Sequence, residues 1–148
     1  VRRGLAAMLL LVMAMPAAAH HIKGLPHFGY KDMGWYPQIP SKETIRRLKH
    51  YLVVATTMPG DPKAGSQVNI HLYVKDLKAS QPLHATIRYS LSRRRFFFFQ
   101  DEVAPPTPVT PILELFQIDR IFEEGGHYTL TLLLPDHSST TVPIEVHP

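Results

Sequence analysis

The chain has 148 residues, is 45% hydrophobic and 19% charged, and carries 16 Lys and Arg against 12 Asp and Glu with no cysteine. Such a length supports one domain around a single core. The lack of thiols excludes disulfides, cysteine metal sites, a cysteine nucleophile and a dithiol redox pair, and the small positive excess argues against a dedicated nucleic-acid protein.

Arg2 and Arg3 give a positive start, residues 5–15 (LAAMLLLVMAM) are apolar without a charge, Pro16 breaks the run, and Ala17, Ala18 and Ala19 are small. That order of features predicts a cleavable signal peptide over residues 1–19. The apolar run is shorter than the ~20 residues of a spanning helix, so an uncleaved anchor is the weaker reading. The expected location is periplasmic or otherwise secreted, with no transmembrane span after cleavage and His20 as the first mature residue. Without Arg2 and Arg3, 14 Lys and Arg remain against 12 Asp and Glu.

Residues 20–45 begin with HHIKGLPHFGYKDMGWYPQIPS, whose Gly and Pro forbid a regular helix and predict an ordered loop. Trp35, Tyr36 and Pro37 are the expected pins of this loop. Residues 41–50 (SKETIRRLKH) read either as a helical turn capped by Ser41 and Thr44 or as an edge strand. A β pattern then fills residues 46–148. Residues 51–57 (YLVVATT) are β-branched and apolar, and MPGDPKAG is a turn cluster. Residues 68–75 alternate, with Val68, Ile70, Leu72 and Val74 on one face and Asn69, His71, Tyr73 and Lys75 on the other. Residues 83–91 repeat the alternation, with Leu83, Ala85, Ile87 and Tyr89 inward. Residues 103–111 (VAPPTPVTP) read as a proline-rich loop, because proline cannot complete a ladder. Further strands are expected over 112–118, 128–134 and 140–146. Together these predict an all-β fold, an immunoglobulin-like β-sandwich of about seven strands.

The stretch 51–76, YLVVATTMPGDPKAGSQVNIHLYVKD, places Pro62, Gly65, an alternating strand and Asp76 in an order that resembles the YtkA-like and FixH-like small exported domains. The closing stretch, from Gly126-His127-Tyr128 to Val142-Pro143-Ile144-Glu145-Val146, resembles the same family's last two strands. The resemblance implies an immunoglobulin-like fold, an extracytoplasmic location and a link to copper handling in haem-copper oxidase assembly. A membrane-bound oxidase or its assembly factors are the partners it implies.

Candidate metal ligands crowd the mature N-terminus. Cleavage after Ala19 frees an α-amine on His20, which chelates copper together with its own Nδ1. His21, His27 and the soft thioether of Met33 follow within a loop able to fold back. Nitrogen ligands in tetragonal geometry suit Cu(II), which tops the divalent affinity order. The arrangement resembles the histidine brace of copper-binding β-sandwich proteins, and copper is the expected cofactor. Cleavage one residue earlier would leave Ala19-His20-His21, the amino-terminal copper and nickel chelate. The ordinary alternative is that adjacent histidines at an exposed terminus bind copper weakly without function. His71 and His84 are secondary candidates, on polar faces of strands that bring them together only if those strands pair.

Arg93-Arg94-Arg95 precede four phenylalanines, 96–99. Strand alternation would send Phe96 and Phe98 into the core and turn Phe97 and Phe99 outward, as an interaction surface for a partner protein or membrane. A strand covered on both faces is the bland alternative. Enzymatic parts are missing from the sequence: there is no G-x-S-x-G elbow and no helical His pair. A brace-type copper oxygenase is the one enzyme compatible with His20, though the chain is short for it. The sequence therefore predicts a copper-binding or copper-delivery protein. The alternative is a metal-free module that docks on a membrane-bound assembly through residues 96–99.

Overall fold

The computed structural model describes residues 40–148. These form nine antiparallel strands: β1 (Lys42–Arg47), β2 (Tyr51–Met58), β3 (Gln67–Asp76), β4 (Gln81–Pro82), β5 (Ile87–Arg94), β6 (Gln100–Val109), β7 (Phe116–Ile121), β8 (Gly126–Leu133) and β9 (Ser139–Val146). The first sheet runs β1-β2-β3, and β3 continues with β7 along residues 67–72 and with the short β4 at Lys75 and Asp76. The second runs β6-β5-β8-β9. With β2-β3-β7 opposite β6-β5-β8-β9, this is the immunoglobulin-like sandwich expected from the strand spacing. It has nine strands rather than seven, because β1 and β4 add to the first sheet.

Alternation in sequence becomes burial in space. Val68, Ile70, Leu72 and Val74 of β3 are fully buried, and so are Leu130 and Leu132 of β8 and Val142 of β9. Phe116, at the start of β7, is fully buried among them. β9 alternates exposed and buried over its whole length, so it covers the core with one face only. By contrast β2 is buried almost throughout, including Val54 and Thr56 on the face away from the common core. At one lateral border the sheets are tied together where Arg46 Nε donates to the Thr141 carbonyl, 3.2 Å away.

Of the two forms open to residues 41–50, the chain takes the edge strand, as β1. Three local expectations are corrected. Residues 103–111 are not a loop: most of them belong to β6, which among the described residues bonds only to β5 and has its other edge free. Pro105, Pro106 and Pro108 are tolerated there because an edge strand needs only half of its N–H groups. The register slips on either side of Leu91, which absorbs the irregularity. Alternation over 83–91 holds only from Ile87 onward. Residues 83–86 carry the chain from β4 in the first sheet to β5 in the second, and Ala85 is exposed. Strand β7 starts at Phe116, because Ile112 and Leu115 close a tight turn by exchanging N–H···O=C bonds of 2.7 and 3.1 Å. Leu113 sits in that turn at φ 59°.

Candidate docking surface

One pole of the sandwich gathers the turn between β5 and β6, the turn between β7 and β8, and the end of β9. The first sheet adds the start of β1 and the 59–66 turn. Backbone bonds knit these loops together. Ala64 N–H donates to His147 (2.8 Å), His147 N–H to Pro62 (2.9 Å) and Gly65 N–H to Phe122 (2.8 Å). Gly60 N–H donates to the Pro40 carbonyl at 2.6 Å, which holds Pro40 at this same pole.

Residues 96–99 form the tip of the β5–β6 hairpin. Arg95 N–H donates to the Phe99 carbonyl (2.9 Å) and Phe99 N–H to the Phe96 carbonyl (2.7 Å), which closes the turn. All four phenylalanines are exposed: Phe96 71%, Phe97 91%, Phe98 93% and Phe99 74%. The expectation that Phe96 and Phe98 enter the core is therefore wrong, since the chain reverses here and strand alternation does not apply. Phe97 and Phe99 do face outward, as expected.

The stem beneath the tip is braced by polar contacts. Arg95 pairs with Asp101 across the hairpin, and Ser92 Oγ donates to Gln100 Oε1 at 3.1 Å. Arg93 pairs with Glu124 and donates through Nη2 to the Gly125 carbonyl at 2.8 Å. Its guanidinium also lies over the Tyr128 ring, 5.8 Å from the centroid. Tyr128 in turn donates its hydroxyl to the Glu124 carbonyl at 2.7 Å and meets the Phe122 ring edge-on at 4.7 Å. Gly126 allows this arrangement: its φ is 147°, and a Cβ there would stand 3.0 Å from Arg93 Nε. Burial pushes the Tyr128 hydroxyl above its ordinary range. Arg94, the middle arginine, makes no ion pair among the described residues. It borders a shallow depression with Lys42, His127 and Glu145. The bracing role of Arg93 was not legible from the arginine triplet, because its partners lie on the β7–β8 turn.

The histidine candidates divide. His20, His21, His27 and Met33, like the 1–19 signal segment, lie outside the described residues. His71 is half-buried on β3, opposite Thr56 of β2 and Gln117 of β7. His84 is exposed in the crossover after β4, and no ladder places it beside His71. At the hairpin pole His147 Nε2 lies 2.5 Å from Asp61 Oδ1, and His127 stands opposite Glu145 on β9. Among the described residues no three His, Asp or Glu side chains gather in a group able to hold a metal ion. Among them, too, no helix is long and apolar enough to cross a membrane. Comparison with known protein families, curated proteins and solved structures finds no match.

Proposed function

We propose that the chain is an exported docking module whose 96–99 hairpin holds the sandwich against a membrane-bound assembly. The observation that carries this reading is the exposure of four consecutive phenylalanines on one braced turn. They present on the order of 600 Å² of apolar surface, at the upper end of what a monomeric soluble protein leaves open. Water is a poor neighbour for such a surface, and the ion pairs of Arg93 and Arg95 hold it in place rather than letting it collapse onto the sheet. The test is retention of the chain in the membrane fraction of cells that produce it. Phe97→Ser with Phe99→Ser should release the chain to the soluble fraction while leaving its unfolding curve unchanged. Equal retention of the variant and the parent would overturn the reading.

A second reading is copper binding or delivery during oxidase maturation. Its support is the sequence run of His20, His21, His27 and Met33, together with the resemblance of residues 51–76 to copper-linked exported domains. Copper titration of chain beginning at His20, compared with chain carrying one extra residue before it, tests this reading. Tighter binding by the former is expected, and equal weak binding by both would sink it.

A further inference from the structure

We infer that the surface met by the 96–99 hairpin is the lipid bilayer itself, its tip entering the boundary between headgroups and acyl chains. The inference rests on the docking reading above and names its occupant.

Two observations select a bilayer. The first is shape. Phe96, Phe97, Phe98 and Phe99 follow one another around a tight turn, and each is more than two-thirds exposed. Successive side chains of a turn point in different directions, so a rigid groove on a partner would take some of them and leave the others wet. A fluid apolar medium takes all four at once.

The second is charge. The arginines sit just behind the apolar tip, at the depth where headgroups would lie if the phenylalanines are inserted. Arg93 and Arg95 are neutralised by Glu124 and Asp101. Arg94 and Lys42 border one depression with a single carboxylate, Glu145, and Glu102 sits lower on the stem opposite Ser92. Two cations beside one carboxylate at this depression suit anionic headgroups modestly. A cation near a charged membrane surface gains about 1 kcal/mol, equivalent to about fivefold in partitioning.

The experiment is co-sedimentation of the chain, as processed by the producing cell, with vesicles of phosphatidylcholine alone and of phosphatidylcholine with phosphatidylglycerol. Binding is expected to both, about fivefold tighter to the second, and the difference should vanish in high salt. Phe97→Ser with Phe99→Ser should weaken binding to both vesicles by at least about tenfold. Arg94→Ser, which leaves Lys42 alone against Glu145, should remove only the phosphatidylglycerol preference. Urea unfolding of each variant checks that the sandwich is intact.

No binding to either vesicle, or equal binding by the double-Ser variant, overturns the bilayer inference. If vesicles fail while native membranes still retain the chain through Phe97 and Phe99, the occupant is a protein and the docking reading survives alone. If neither retains it, both fall. Light scattering that gives a dimer broken by the double-Ser change would make the occupant a second copy and would also overturn the inference.

Discussion

Phe98 and Phe116 are the same residue in opposite situations, and truncating each to Ala tests the exposure on which the docking proposal depends. Phe116 is 0% exposed on β7, opposite Leu72 of β3, whereas Phe98 is 93% exposed on the hairpin tip. Replacing a fully buried phenylalanine with Ala removes its transfer free energy and leaves a cavity, at a cost of about 3–5 kcal/mol. Phe98 keeps only a small fraction of its surface from water, so at about 25 cal/mol per Å² the loss is on the order of a few tenths of a kcal/mol. Since domains of this size are stable by only about 5–15 kcal/mol, Phe116→Ala should bring the fold near its limit. Phe116→Leu keeps the comparison measurable, with about 1–1.5 kcal/mol lost. Urea unfolding followed by far-UV circular dichroism gives both values, with an unchanged slope expected for each variant. A loss of more than about 1 kcal/mol for Phe98→Ala would refute the reasoning. It would mean that the tip is packed against apolar groups in the free protein and is not available to a membrane.

Three further outcomes follow from local geometry. Gly60→Ala should destabilise the fold by about 1–3 kcal/mol, because a Cβ there would stand 2.6 Å from Lys42 N and 2.7 Å from Ser41 C, which are backbone atoms that cannot swing aside; a melting curve checks it. Gly65→Ala should cost about 1 kcal/mol for a different reason: the space around it is open, but its φ of 79° is unfavourable to any residue with a Cβ. The Asp136 carboxyl is held below its ordinary range by hydrogen bonds from the Ser138 side chain and backbone N–H. Its contribution to the β8–β9 turn is therefore complete above the unfolded carboxylate pKa of about 4 and is lost as pH falls through the lower folded value. The amide shift of Ser138, followed by NMR on acidification, should move only below that pH, and Asp136→Asn should abolish the transition.

The corrections share one cause. A period of two in hydrophobicity tells which face of a strand is buried, and it did so for Val68, Ile70, Leu72 and Val74 and again for Leu130 and Leu132. It does not tell where a strand ends or whether a second neighbour exists. The prolines of β6 were misleading because proline removes a donor only where a partner would need it, and the free edge of β6 is settled by sheet order. The phenylalanine run was misleading because it contains none of the Gly, Asn or Pro that normally mark a turn. Pairing of β5 with both β6 and β8 places the reversal there. Arg93 gained its role in the same way, from Glu124 and Gly125 more than thirty residues further along the chain.

By itself, then, the sequence determined the all-β class, the sandwich, the inward face of most strands and the presence of a basic and aromatic element between residues 93 and 99. These follow from local alternation, β-branching and composition, which act over a few residues. Tertiary structure alone decided that four phenylalanines share one exposed tip, and that two of three arginines are neutralised behind it while Arg94 is left beside Lys42. Those facts depend on which strands pair and in what register, a choice made by the closing of one core between two sheets.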